Sequence, residues 1–72
     1  MGELIALPLA ATAVLPDARG EHRALQVTWH ERDEVFVLSM WRGGQCSGTV
    51  RLEPEDAAAL IGTLAEGLAR RA

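Results

Sequence analysis

The sequence has one cysteine and no lysine in 72 residues. Cys46 alone cannot form an internal disulfide, and two histidines separated by seven residues give no cluster of metal ligands. All seven basic residues are arginines, which together with the many alanines indicates a GC-rich bacterial genome. A formal net charge of −3 argues against a large basic surface for nucleic acid.

A secretion signal and a membrane span do not fit the apolar N-terminal stretch. Residues 1–15 lack a basic start, carry Glu3 and are interrupted by Pro8, and the stretch is too short to cross a bilayer. We therefore expect a cytoplasmic protein without membrane contact. Leu4–Leu7 has the composition of a short strand, and Pro16–Gly20 has the residues of a turn. Residues 1–22 are predicted to form an apolar arm, or an edge strand with a loop.

Residues 35–52 consist of two β-prone runs separated by Gly43 and Gly44. Two glycines predict a two-residue hairpin turn, because a primed turn needs positive φ at both central positions. Arg42 then faces Gln45. In this register Val35, Val37 and Trp41 share a side of the hairpin with Val50 and Leu52.

A third strand is predicted over residues 23–30, where Leu25, Val27 and Trp29 alternate with polar residues. A three-residue connection, Glu31–Asp33, would pair His30 with Glu34 and use Asp33 as the left-handed residue. With this loop, Leu25, Val27 and Trp29 lie on the same side as Val35, Val37 and Trp41. Both tryptophans are therefore expected to be core anchors on that side.

A helix is predicted after Leu52, because Pro54 suits the first helical position and acidic residues follow it. Steps of 100° place an apolar stripe on one face: Ala57, Leu60, Ile61, Leu64 and Leu68. We expect this stripe to cover one side of the sheet, formed by Leu25, Val27, Val35, Val37, Val50 and Leu52.

Beside the stripe runs a seam of small residues that would allow a second helix to approach closely: Ala58, Gly62, Ala65 and Ala69. This seam is the predicted dimer interface, and the alternative is that alanine is simply a good helix former. The predicted fold is α+β, a three- to four-stranded antiparallel β-meander with one C-terminal helix packed on one face. Residues 23–72 form the β-β-β-α domain. Because a core of this size is near the lower limit for a monomer, we expect a homodimer.

The other sheet face is predicted to carry an apolar row flanked by hydroxyl groups and arginines. Its predicted binding residues are Phe36, Leu38, Met40, Arg42, Thr49 and Arg51. Three occupants are considered: single-stranded nucleic acid stacked on Phe36, a partner protein, or the N-terminal arm or a dimer mate of this chain.

The order of elements and three stretches together resemble the p15-type positive-cofactor-four family: Leu25-Gln26-Val27-Thr28-Trp29, Val35 to Trp41, and Gly48-Thr49-Val50-Arg51-Leu52-Glu53-Pro54-Glu55-Asp56. The resemblance covers about Arg23 to Leu68 and implies a small transcriptional coactivator that binds single-stranded DNA as a dimer. The family's Asp-Ile-Arg is replaced by Ser39-Met40-Trp41, and its lysine-rich loops are absent. A looser similarity to small actinobacterial regulatory-partner proteins implies a protein partner instead.

No pattern in the sequence places a carboxylate or a nucleophile beside His22 or His30, so we expect neither an enzyme nor a cofactor or metal site. The predicted function is that of a small, non-catalytic, transcription-associated regulatory protein that binds single-stranded nucleic acid through its open sheet face. The alternatives are a protein-binding accessory partner of a transcription regulator, and a structural dimerisation module.

Overall fold

The computed structural model of the protein describes residues 12–71. Within them lie four strands and one helix: β1 (Thr12–Pro16), β2 (Arg23–His30), β3 (Val35–Arg42), β4 (Gln45–Leu52) and α1 (Pro54–Arg70). Each strand pairs antiparallel with the next, in the order β1-β2-β3-β4. The predicted α+β meander with a C-terminal helix is confirmed. The strand predicted at Leu4–Leu7 lies outside the described residues.

The strand β1 adds a fourth member to the sheet. It pairs with β2 so that Leu15 lies opposite Leu25. Pro16 ends the strand, where a residue without a backbone N–H is tolerated. The turn predicted from Pro16 to Gly20 is confirmed, and the N–H of Gly20 donates to the carbonyl of Asp17 at 2.9 Å.

The hairpin turn between β3 and β4 is the predicted one. Gly43 and Gly44 have φ values of +58° and +83°, and Arg42 lies opposite Gln45. Both residues occupy the left-handed region that a primed turn requires and that a Cβ atom disfavours.

The connection between β2 and β3 differs from the predicted one. His30 pairs with Val35, so the loop contains four residues, 31–34, and the predicted pairing of His30 with Glu34 is wrong. The left-handed residue is Glu34, with φ of +56°, and its N–H donates to the carbonyl of His30 at 2.8 Å. Compared with the predicted three-residue loop, the fourth residue moves every side chain of β3 to the other side of the sheet, because side chains alternate with a period of two.

A β-bulge produces a second shift, between β3 and β4. Met40 lies opposite Gly48 and Trp41 lies opposite Cys46, so Ser47 is the extra residue on β4. The hydroxyl of Ser47 donates to the carbonyl of Met40 at 3.2 Å, which ties the bulge to the neighbouring strand.

The loop and the bulge together decide which residues share a side of the sheet. The side that α1 covers is called the helix side from here on. The register places these residues on it: Leu15, Leu25, Val27, Trp29, Phe36, Leu38, Met40, Gly48, Val50 and Leu52. The other side, the open face, carries Val14, Gln26, Thr28, Val35, Val37, Ser39, Trp41, Thr49 and Arg51. The prediction that Val35, Val37 and Trp41 lie under the helix is therefore wrong, since all three lie on the open face.

The helix α1 begins at Pro54, as predicted, and packs on β3 and β4. Glu53 is its N-cap in extended conformation, Pro54 occupies the first turn, and Glu55 and Asp56 lie at the positive end of the helix dipole. At the C-terminal end the N–H of Arg71 donates to the carbonyl of Leu68 at 3.4 Å. The helix thus has the predicted start, but it covers the opposite side of β3 from the predicted one.

Replacing Gly43 and Gly44 together with alanine should lower the free energy of unfolding by roughly 1–3 kcal/mol, because two Cβ atoms would be held at positive φ. Urea denaturation followed by circular dichroism measures the change. Gly67→Ala is the matched control: Gly67 lies inside α1, where an added Cβ atom would meet nothing within 4 Å, so this variant should be slightly more stable than wild type. Equal stability of the double variant and wild type would contradict the assigned turn.

The four-residue loop can be tested with two neighbouring glycine substitutions. Glu34→Gly should raise the melting temperature, because it relieves left-handed strain of about 1–2 kcal/mol at a smaller entropic cost. Asp33→Gly should lower it, since Asp33 is not among the residues with positive φ and the substitution only adds freedom to the unfolded chain. The reverse order of the two melting temperatures would instead support the three-residue loop.

Candidate interaction surface

A small apolar pocket lies between the first turns of α1 and the sheet. Its volume is about 120 Å³, and all of its lining residues are apolar: Val27, Phe36, Leu38, Leu52, Ala57, Leu60 and Ile61. The floor comes from three neighbouring strands and the roof from two turns of helix. At this pocket the predicted helix stripe meets the sheet.

The pocket floor depends on an aromatic pair across β2 and β3. Trp29 lies opposite Phe36, and their ring centroids are 4.8 Å apart with the planes tilted by 49°. Aromatic pairs at this separation are favourable beyond their simple burial. The pair therefore fixes Phe36 on the helix side, and Leu38 and Met40 follow it by alternation.

The second half of α1 leaves its apolar stripe uncovered. Ile61 is 67% exposed, Leu64 57% and Leu68 61%, although these residues continue the same stripe that begins at the pocket. On the helix side of the sheet, Met40 and Val50 are 50% and 52% exposed. Two apolar surfaces are thus left uncovered, one on the helix and one on the sheet, and they belong to the same side of the molecule.

No residue between Thr12 and Arg71 is fully buried, so the described part of the chain has an incomplete core. Exposed apolar patches of this kind mark interaction sites in soluble proteins.

The structure separates the six predicted binding residues. Thr49 and Arg51 lie on the open face as predicted. Phe36, Leu38 and Met40 lie on the helix side, so the prediction of an apolar row on the open face is wrong. Arg42 follows the same alternation and lies opposite Arg23 of β2, also on the helix side. The cause is the inversion of β3 by the four-residue loop and the bulge.

The predicted dimer seam lies along the exposed side of α1. All four of its residues are exposed: Ala58, Gly62, Ala65 and Ala69. A Cβ atom built on Gly62 would meet nothing within 4 Å, so no neighbour within the described chain explains this glycine. The role of the seam as a dimer interface stays a prediction.

The open face carries a mixed row of hydroxyl, amide and apolar side chains, and among residues 12–71 no element packs over it. Gln26, Ser39 and Thr49 form one row across β2, β3 and β4, and Arg51 lies two residues further along β4. Trp41 is half-buried there, and its indole Nε1 has neither solvent access nor a hydrogen-bond partner within the described part. A single arginine among β-strand positions of this face provides little positive charge for phosphates.

The loop between β1 and β2 contains an ion pair and three consecutive residues with positive φ. The side chain and the backbone N–H of Arg19 donate hydrogen bonds to the Asp17 carboxylate at 2.7–3.1 Å, and they hold the pKa of Asp17 well below its ordinary value. Gly20, Glu21 and His22 all have positive φ, and the carbonyl of His22 accepts from the N–H of Gly43 at 2.9 Å. This loop thus braces the turn of the neighbouring hairpin.

Chemically reactive groups are not gathered at any point of the described structure. Among the hydrogen bonds of residues 12–71, none involves a histidine side chain, and no group of three potential metal ligands occurs there. Cys46 lies opposite Trp41 and is exposed, with Sγ 3.6 Å from the carbonyl oxygen of Gly48.

Within residues 12–71, no helix has both the length and the apolar character needed to cross a membrane.

Sequence reasoning missed two helix-side positions, Leu15 and Met40, and the bulge that precedes Gly48. Leu15 reaches this side through β1, and Met40 and Gly48 meet across the bulge, where a Cβ on Gly48 would lie 3.3 Å from Cε of Met40. A glycine inside a strand is a signal for a bulge or for a close approach, and Gly48 is such a signal.

Comparison of the chain with protein-family models, with curated proteins and with solved structures found no match. The resemblance to the positive-cofactor-four family therefore stays a prediction from the sequence.

Proposed function

We propose that this protein is a non-catalytic protein-association module that acts as a homodimer. The observation that carries the proposal is the incomplete core: no described residue is fully buried, while Ile61, Leu64 and Leu68 are more than half exposed along one stripe. A chain of this size gains the missing burial most simply from a second protein surface. The functional surface is accordingly the exposed stripe of α1, together with the uncovered sheet positions Met40 and Val50.

The exposed stripe of α1 supplies apolar surface for such an interface, since Ile61, Leu64 and Leu68 are each more than half exposed. Burial of one leucine side chain contributes about 1.5–3 kcal/mol, so three such residues on each chain can hold a dimer at micromolar concentration.

The proposed cellular role is regulation of transcription in the cytoplasm, with the dimer as an accessory partner of a regulator. Its support is the looser similarity to small actinobacterial regulatory-partner proteins, which depends on the short β-unit and on the helix that the pattern after Leu52 predicts. In this role the dimer would use its two outward open faces, whose mixed polar and apolar side chains suit a protein partner.

Single-stranded nucleic acid is a second candidate ligand, for the open face. The observation in its favour is the position of Thr49, Arg51 and Trp41 on one face that no described element covers. Two observations weaken this candidate. The net charge of −3 reduces the favourable release of counterions from phosphates, and the position of Phe36 on the helix side removes the predicted stacking surface from the open face.

Leu64→Glu should convert the dimer to a monomer, with a dissociation constant raised at least about 100-fold, because each interface loses two buried leucines and gains two carboxylates. Light scattering and the concentration dependence of the melting temperature measure this change. Thr63→Glu adds the same charge to the neighbouring residue, about 100° away around the helix, and should leave the dimer intact. A wild-type protein that stays monomeric at high micromolar concentration would refute the proposal.

If the open face binds single-stranded DNA, Arg51→Ala should reduce the slope of log affinity against log salt by about one. Fluorescence anisotropy with a labelled oligonucleotide at several salt concentrations measures the slope. Arg70→Ala removes the same charge at the end of α1 and should leave the slope unchanged. Absence of any binding to wild type at low salt would exclude this second candidate.

A further inference from the structure

We infer that the exposed stripe of α1 is occupied by α1 of a second copy in antiparallel orientation, so that two helices form one layer between two sheets. This inference rests on the proposed homodimer and adds its geometry. The starting observation is the spacing of the exposed stripe: Ile61, Leu64 and Leu68 are three and four residues apart, and Ala57 precedes Ile61 by four. Spacing of this kind forms a straight seam that suits a second helix.

The stripe is divided between two partners along its length. Its first part, Ala57 and Leu60, lines the pocket against the sheet of the same chain. Its second part, Leu64 and Leu68, does not line this pocket and remains exposed. Ile61 does both, since it borders the pocket and is 67% exposed. The helix therefore presents a surface whose centre lies near Leu64.

The charges on α1 favour one orientation of the second helix. Glu53, Glu55 and Asp56 give its N-terminal end a charge of −3, and its C-terminal end is basic, since Arg70 and Arg71 outnumber Glu66, which pairs with Arg70 at 3.5 Å. A parallel pair would bring the acidic ends together, whereas an antiparallel pair places the acidic end of each helix beside the basic end of the other. The helix dipoles favour the same arrangement, because their opposite ends then lie side by side.

An antiparallel pair centred near Leu64 has a defined set of neighbours. Leu64 lies beside Leu64 of the second copy, and Ile61 of each helix lies beside Leu68 of the other. The arrangement is self-complementary, as a twofold dimer requires, and each exposed leucine of the stripe receives an apolar neighbour. The seam that includes Gly62 and Ala65 borders this contact, and its small side chains would let the two helix axes come close.

Mixed cysteine cross-linking tests this geometry in the full chain. Ile61→Cys and Leu68→Cys are each made in a Cys46→Ser background, mixed in equal amounts and oxidised. The expected result is that the mixture forms at least about tenfold more cross-linked dimer than Leu68→Cys alone, because facing residues in a complex have a millimolar effective concentration. A mixture of Thr63→Cys with Leu68→Cys is the control for random collision, and circular dichroism confirms that each variant keeps its helix.

The outcomes separate the geometry from the proposed function. More product from Leu68→Cys alone than from the mixture indicates a parallel pair and overturns the inference. If light scattering shows a dimer but the mixture cross-links no more than the Thr63→Cys control, the antiparallel geometry is wrong and the proposed homodimer is still supported. A monomer at every concentration overturns both.

Discussion

Alternation of side chains along β3 is the constraint on which the rest of the structure depends. β3 is paired on both sides, so each of its residues must lie either under α1 or on the open face. The contact of Trp29 with Phe36 places Phe36 on the side under α1, at the end of the sheet where the helix begins. Leu38 and Met40 then complete the apolar floor that α1 covers in part, and Val35 and Val37 are left on the opposite face.

Local features of the fold can be predicted from the sequence, because single residues determine them. Gly43 and Gly44 specify the hairpin turn, Pro54 with the acidic residues after it specifies the start of α1, and alternation specifies β2. The side of β3 that faces the helix cannot be predicted in this way. Val35 and Val37 are as apolar as Phe36 and Leu38, so the pattern shows no preference between the two sides of the strand.

Two shifts of one residue separate the predicted register from the observed one. The loop after His30 has one residue more than predicted, and the bulge at Ser47 adds another, so the two shifts cancel for the part of β4 after the bulge. Val50 and Leu52 therefore lie on the predicted side, while β3 and the two residues of β4 before the bulge, Gln45 and Cys46, are inverted. The candidate site follows the same pattern, since Thr49 and Arg51 lie on the predicted face and the apolar residues of β3 do not. The choice between Asp33 and Glu34 as left-handed residue depends on loop energetics that composition does not reveal.

The bulge at Ser47 has a consequence for the solubility of the sheet. β4 is the last strand in the order β1-β2-β3-β4, and along the described residues its outer row of N–H and C=O groups has no partner strand. Such an edge is a template for fibril growth when it is long and flat. The extra residue between Cys46 and Gly48 interrupts this edge, so that its longest regular stretch is Gly48–Leu52. The bulge that places Gly48 on the helix side thus also makes this edge shorter and less regular, which disfavours the addition of strands from other copies.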